Sequence, residues 1–287
     1  MTLGIPSAAA VYAVLATAYT WPLARHLGDR VPVDGYDALL NACLLWWNAH
    51  RVPFTDAWWN APFFFPMSGA LALSETLLGL SPLTTPLQWL GASPLLAHNV
   101  AYLLSFPLCG LAMHLLVFEL SGRRDLALVG GLAFAFAPYR AAHLAHLQML
   151  CAFWIPLVFL GLHRFRRTGR FFPLALAAIA WTMQGLTNAY AFLFLTVLVA
   201  AWLAWFVVPS GRWRTLVPIA ATWGATGLAP LLLFLQYQRW HARLGFERSR
   251  LEIESLSADL LGFVSPPSAL AHWTLDTGLA AEAWVFP

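Results

Sequence analysis

Residues 34–50 read DGYDALLNACLLWWNAH, and the rest of the chain is organised around this amphipathic stretch. At about 100° per residue, Asp37, Asn41 and Asn48 fall on one narrow stripe of a helix. Asp34 joins them if the helix reaches back that far. Leucine, cysteine and tryptophan side chains occupy much of the remaining surface. The pattern predicts a helix that lies on a membrane surface, with its polar groups turned toward water or protein.

The composition is that of an integral membrane protein. Of the 287 residues, 60% are hydrophobic and 10% are charged, whereas a soluble domain carries about 25% charge. Every basic residue apart from histidine is an arginine, and the arginines are scattered, so we expect no nucleic-acid partner. Cys43, Cys109 and Cys151 show neither metal-ligand spacing nor a disulfide framework. The fold class we predict is an all-α polytopic membrane protein.

The apolar runs predict about seven transmembrane helices, because a helix needs about 20 apolar residues to cross a bilayer. Three of the runs are short, and tilt or local thinning of the bilayer would accommodate them. The expected spans are Ile5–Leu23, Leu95–Leu120, Leu126–Ala137, Leu150–Leu162, Phe172–Leu186, Ala191–Val208 and Leu216–Leu235.

Two segments lie outside the spans. Residues 24–93 form a long first loop whose apolar runs are too short to cross and are separated by Pro, Gly and Asn. We expect two interfacial helices within it. Residues 1–236 then form the transmembrane domain, and residues 237–287 form a tail on the outer face. We interpret that tail as the start of a truncated C-terminal region.

Arginine clusters set the expected orientation. They fall in alternate loops, and the positive-inside rule places all of them in the cytoplasm. The clusters are Arg123 and Arg124; Arg164, Arg166, Arg167 and Arg170; and Arg212 and Arg214. The N-terminus is then cytoplasmic as well, in a multi-pass protein of the bacterial inner membrane. The first loop, the loop at 138–148 and the turn at 184–190 lie on the outer face.

Polar side chains gather in these outer-face loops. Buried polar groups at membrane depth cost several kcal/mol unless they are paired, so such a set predicts a wet cavity at the mouth of the bundle. The first loop carries Glu75 as well as the candidate site residues. These candidates are Asp34, Asp37, Asn41, Asn48 and His50; Arg140, His143, His146 and Gln148; and Gln184, Asn188 and Tyr190.

Two motifs carry a family resemblance over roughly residues 1–240. The loop that begins DGYDALLN at Asp34, and the segment FAPYRAAHLAHLQ at 136–148, resemble bacterial membrane proteins of the GT-C superfamily. Members of that superfamily are glycosyltransferases that use polyprenol-phosphate sugars. The resemblance implies sugar transfer from a polyprenol-phosphate donor to a glycan, lipid or protein acceptor on the outer face. It makes Asp34 or Asp37 the general base. Many members carry acidic pairs in two outer loops, whereas the second loop here contains no acid.

Each candidate has a chemical role in such a reaction. A carboxylate takes the proton of the attacking hydroxyl, and Arg140 can offer a two-pronged contact to the departing phosphate. His143 and His146 lie three residues apart, on one face if helical, and can bond to that phosphate or hold a metal. The cofactor is therefore left open, with a divalent metal ion on these histidines as the candidate.

Other interpretations of the same residues remain open. Asp34 and Asp37 also suit the cap and first turn of a helix. Arg140 can reach lipid headgroups, and Gln184 and Asn188 can bond between spans. The alternative functions are a transporter or flippase of a lipid-linked substrate, and a catalytically inactive GT-C-like scaffold for envelope assembly. The sequence has no internal repeat and its polar set lies at one face, which favours the enzyme.

Overall fold

The computed structural model describes residues 4–33, 35–209, 211, 213–245, 247 and 249–255, and all regular secondary structure in them is helical. This confirms the all-α fold for the described part of the chain. The chain divides into two compact units, Met1–Tyr237 and Gln238–Pro287. The α-helices are α1 (Ile5–Tyr19), α2 (Gly35–His50), α3 (Asp56–Trp59), α4 (Ser81–Trp89), α5 (Pro94–Ser121), α6 (Arg124–Ala135), α7 (Pro138–Ala142), α8 (Leu147–Leu150), α9 (Trp154–Thr168), α10 (Phe171–Thr187), α11 (Ala189–Phe206), α12 (Leu216–Thr226), α13 (Leu228–Leu244) and α14 (Arg250–Ser255). Short 3-10 helices span Leu23–Arg25, Ala70–Leu73, Leu78–Leu80 and Trp213–Thr215.

Among the described residues, three helices are long and apolar enough to cross a membrane: α5, the helix Leu147–Thr168 formed by α8 and α9, and α11. A fourth span results if α12 and the preceding turn are joined to α13 across a 47° bend. The helices α1 and α10 are apolar but shorter. Helix α6 has 12 residues and is therefore about 18 Å long. The chain thus has the apolar helices of a membrane protein.

Helix α5 is the central element of the first unit. It has 28 residues, about 42 Å in length, and it packs against α1, α2, α6 and α9. The helix starts where the Ser93 hydroxyl accepts a hydrogen bond from the Leu96 N–H at 3.1 Å. It stops at Gly122, whose φ of 66° lies in the left-handed region that favours glycine.

Helix α2 turns its polar stripe toward the protein. It packs against α4 and α5, and its residues Asn41 and Asn48 are buried. Leu39 and Trp46 lie on the exposed side, at 51% and 38% exposure. The stripe was predicted to face water or protein, and its two asparagines therefore face protein.

The two ends of α5 have different partners. Near its start, the Asn99 side-chain amide donates to the carbonyls of Leu27 and Arg30, at 2.8 and 2.7 Å. Near its other end, the largely buried Glu119 carboxylate pairs with Arg164 and Arg167, at 2.9 and 2.8 Å. The first-loop backbone and an arginine cluster are thus held at opposite ends of one helix.

Candidate functional site

Asp37 is held beside the loop between α6 and α9. It lies in the first turn of α2, and its Oδ2 is 3.2 Å from His146 Nε2. Both side chains are partly open to solvent, 45% for Asp37 and 31% for His146. Residues 109 positions apart therefore form a carboxylate–imidazole pair. Asp34, the other predicted general base, lies outside the described residues.

His143 continues this pair inward. Its ring lies 5.5 Å from that of His146 and 4.4 Å from that of Tyr139, measured between centroids. Burial lowers the pKa of His143, and the neighbouring His146 lowers it further. The side chain is therefore neutral at pH 7. Its Nδ1 is buried without a hydrogen-bond partner in the described part of the chain, and so is Nδ1 of His146.

Arg140 points into the core and not toward Asp37. The guanidinium lies 4.8 Å above the Phe106 ring. One terminal nitrogen donates to the Leu150 carbonyl and the Cys109 sulfur, and the other donates to the Ser105 hydroxyl at 3.2 Å. Because both terminal nitrogens are engaged inside the protein, the predicted two-pronged phosphate contact would require these bonds to break.

Several residues that were predicted to bind the substrate carry buried polar atoms without hydrogen-bond partners among the described residues. Asn41 lies one helical turn from Asp37 on α2, so the two side chains share a face. Its Nδ2, the Oε1 of Gln148 and both polar atoms of Gln184 lack a hydrogen-bond partner within the described residues. Buried polar groups are nearly always satisfied in proteins, by water if by nothing else. These atoms are therefore candidates to bind water or a ligand.

Asn48 and His50 lie at the other end of α2. Eleven residues separate Asp37 from Asn48, which is about 16 Å along a helix axis. Asn48 accepts from the indole of Trp58 at 2.9 Å and donates to the Thr76 carbonyl at 2.7 Å, so it joins parts of the first loop. Both residues line a cavity of about 670 Å³ with Arg51. The predicted substrate set is thus divided between two places.

Asn188 and Tyr190 lie at a third place, the junction of α10 and α11. The side-chain Oδ1 of Asn188 caps α11 by accepting a hydrogen bond from the Ala191 N–H at 2.7 Å. Its amide donates to the Met149 sulfur at 3.3 Å, and the Tyr139 hydroxyl approaches the same sulfur at 3.6 Å. A continuous chain of contacts therefore connects this junction to residues 138–148, called here the histidine loop because it carries His143 and His146.

Glu75 belongs to this junction and was not singled out from the sequence. Both carboxylate oxygens accept from the Ala189 N–H, at 3.2 Å each. The group is half-buried, and burial raises the pKa of Glu75 to about 7 even though the Ala189 bond lowers it. One signal was present in the sequence, because Glu75 is the only acidic residue between Asp56 and Glu119.

The residues present do not form a metal centre of the usual kind. Among the described residues, no group of three or more His, Cys, Asp or Glu side chains is placed to hold a metal ion. His146 is already paired with Asp37, and two histidines do not complete a coordination shell. We therefore derive no chemical step through a metal.

Comparisons with known proteins give no family for this chain: no protein-family model, curated protein or solved structure matches it.

Proposed function

We propose that the chain is a membrane glycosyltransferase that moves a sugar from a polyprenol-phosphate donor to an acceptor on the outer face, with Asp37 as general base. The observation that supports this proposal is the contact between Asp37 Oδ2 and His146 Nε2 at 3.2 Å. It brings a carboxylate from the first loop to the histidine loop, and both groups remain open to solvent.

The reaction uses the two oxygens of the carboxylate differently. With the proton on Nε2, His146 donates to Oδ2 and fixes the orientation of the carboxylate. The other oxygen takes the proton of the acceptor hydroxyl as its oxygen attacks the anomeric carbon. The bond from that carbon to the phosphate oxygen breaks, and its electron pair leaves with the lipid phosphate. His146 is a positioning residue in this scheme.

Neighbouring polar atoms suit the binding of a sugar. Sugar hydroxyls both donate and accept hydrogen bonds, and they match Nδ2 of Asn41 and Oε1 of Gln148, which have no partner within the described residues. A site built to bond a hydroxyl rejects analogues that lack it, because its own polar groups would then be left unpaired.

The membrane orientation belongs to the same proposal. About seven spans are completed when the short helices α1, α6 and α10 cross with the longer ones. The pairing of Glu119 with Arg164 and Arg167 holds one arginine cluster at the end of α5 opposite the first loop. With these arginines in the cytoplasm, the N-terminus is cytoplasmic and Asp37 faces the outer side.

The test is the substitution Asp37→Asn in the full-length protein. The amide cannot take a proton, so we expect sugar transfer to fall by about 100-fold or more. The measurement is mass spectrometry of the lipid-linked sugar pool and of outer-envelope glycans, with protein level and membrane insertion checked in parallel. Wild-type turnover in Asp37→Asn would refute the general-base role.

A matched control lies in the same loop. Asp29 also pairs with a histidine, His26, at 3.2 Å. Its side chain is 66% exposed against 45% for Asp37, and none of the candidate site residues adjoins it in the sequence. Asp29→Asn should leave turnover unchanged. Equal losses in the two variants would mean that the loop needs its charge for folding and not for catalysis.

A transporter of an amphipathic substrate is the second candidate function. One observation favours it, an apolar cavity of about 560 Å³ beside Glu75. A transporter would move a labelled lipid-linked sugar between leaflets of a reconstituted vesicle without breaking its phosphate bond, which an enzyme would cleave.

A further inference from the structure

The cavity beside Glu75 has the size and shape of a ligand site. It lies among α10, α11 and residues 227–237, all within the unit Met1–Tyr237. Its volume is about 560 Å³, within the range of pockets that hold small ligands. The lining is largely aromatic and aliphatic and includes Trp181, Phe192, Leu193, Leu231, Phe234 and Tyr237.

Among the described residues, Glu75 supplies the only charge in this lining. The other lining residues include no Asp, Arg, Lys or His, and no ion pair to Glu75 is found in the described part of the chain. The Glu75 carboxylate accepts a hydrogen bond from the backbone N–H of Ala189. A carboxylate that has left water without a counter-ion is costly, and burial raises the pKa of Glu75 to about 7 for this reason.

Aromatic rings form part of the wall of the cavity that Glu75 lines. Trp181 and Phe192 lie 4.5 Å apart between ring centroids. Tyr237 also lines the cavity, and its hydroxyl donates to the Ser74 carbonyl at 2.6 Å. Tryptophan and tyrosine faces attract ammonium groups. An acid among such rings is complementary to a cation on an apolar body.

The surroundings of the cavity suit entry from a lipid bilayer. Leu193, Leu231 and Phe234 line it and are 62%, 52% and 57% exposed. They belong to apolar helices, so their exposed faces meet lipid chains when those helices are in a membrane. An amphiphile can therefore pass from the bilayer into the cavity without crossing water.

We propose that this cavity binds an amphiphile with a protonated amine head, whose ammonium group pairs with Glu75 while its chain packs on Trp181 and Phe234. An anionic head would meet the Glu75 carboxylate with the same sign of charge, so we expect lipid phosphates and fatty acids to bind more weakly than amines. The site is separate from that proposed for the sugar donor and does not depend on sugar transfer.

The probe for the test is dodecylammonium. Its binding to the full-length protein in phosphatidylcholine nanodiscs is measured by equilibrium dialysis at pH 8, after subtraction of the uptake by empty nanodiscs. We expect dodecanol and dodecanoate, with the same chain, to bind at least about tenfold more weakly. Equal binding of dodecanol, or tighter binding of dodecanoate, would overturn the role of the charge.

Three variants locate the bound amine. Glu75→Gln keeps the shape and the acceptor for Ala189, and it should weaken dodecylammonium at least about tenfold while leaving dodecanol unchanged. Leu231→Trp occupies the cavity and should weaken both probes. Asp125→Asn removes an exposed carboxylate on α6 and should change neither. Unchanged amine binding in Glu75→Gln or in Leu231→Trp would place the amine elsewhere and overturn the proposal.

Discussion

The substitution Glu75→Gln should make the protein more stable above neutral pH. A glutamate has a pKa of 4.5 when unperturbed, and in the folded protein burial raises it to about 7. Between these values the unfolded chain has released the proton and the folded chain still holds it. The contribution of Glu75 to the free energy of unfolding is therefore fully present below about pH 4.5 and is lost as the pH rises through about 7. Glutamine does not ionise and escapes this loss.

The size of the effect follows from the shift. One pKa unit corresponds to about 1.4 kcal/mol, so the shift of Glu75 from 4.5 to about 7 predicts a loss of about 3 kcal/mol for the wild type. About a quarter of this loss has already occurred at pH 5, because that pH lies above 4.5. At about 2 °C per kcal/mol for a chain of this size, the melting temperature of Glu75→Gln should exceed that of the wild type by about 5 °C more at pH 8 than at pH 5.

The assay is thermal unfolding of both proteins in a nonionic detergent across pH 5–8. Asp125→Asn is a suitable control, because the hydrogen bond from Arg123 lowers the pKa of Asp125 to about 2. The stabilising effect of the Asp125 carboxylate is lost only as the pH falls through about 2, which is outside the measured range. If the melting temperatures of the wild type and Glu75→Gln changed in parallel from pH 5 to pH 8, Glu75 would be solvated like an ordinary surface acid.

Two further substitutions test the packing that positions these groups. Gly131→Ala places a methyl group 2.1 Å from the Tyr12 hydroxyl and should destabilise the protein by about 2 kcal/mol or more in thermal unfolding. In the control Gly224→Ala the methyl group meets no atom within 4 Å, so this variant should stabilise its helix. A similar loss of stability in both variants would contradict the packing argument. Asn48→Ala leaves the Trp58 indole without its buried partner and should cost about 1–3 kcal/mol, while sugar transfer per folded molecule stays at the wild-type level.

The longest helix was predictable because local chemistry marks both of its ends. The apolar run predicted Leu95–Leu120, and the helix is Pro94–Ser121, between the Ser93 cap and left-handed Gly122. The predicted span Leu216–Leu235 is instead bent by 47° near Gly227. Hydropathy measures how apolar a run is and does not measure whether the run is straight.

The candidate site was only partly predictable. A helical wheel places Asp37, Asn41 and Asn48 on one stripe, but it gives direction and not distance along the axis. The stripe therefore meets His146 at one end of α2 and Trp58 at the other. The inward direction of Arg140 depends on Ser105 and Cys109, which are distant in sequence. Such tertiary contacts leave no local pattern.

Asp37 and Glu75 are two acids in one loop with opposite surroundings. Asp37 is partly exposed and faces an imidazole, whereas Glu75 is half-buried and faces an apolar cavity. A general base works best when its pKa lies near the operating pH, so Glu75 is the natural rival for the catalytic role. The single variants Asp37→Asn and Glu75→Gln distinguish the two acids in one sugar-transfer assay. Our proposals require that turnover falls only in the first and amine binding only in the second. Since the Met149 sulfur joins the two places through Tyr139 and Asn188, the double variant should depart from additivity if a ligand at one site affects the other.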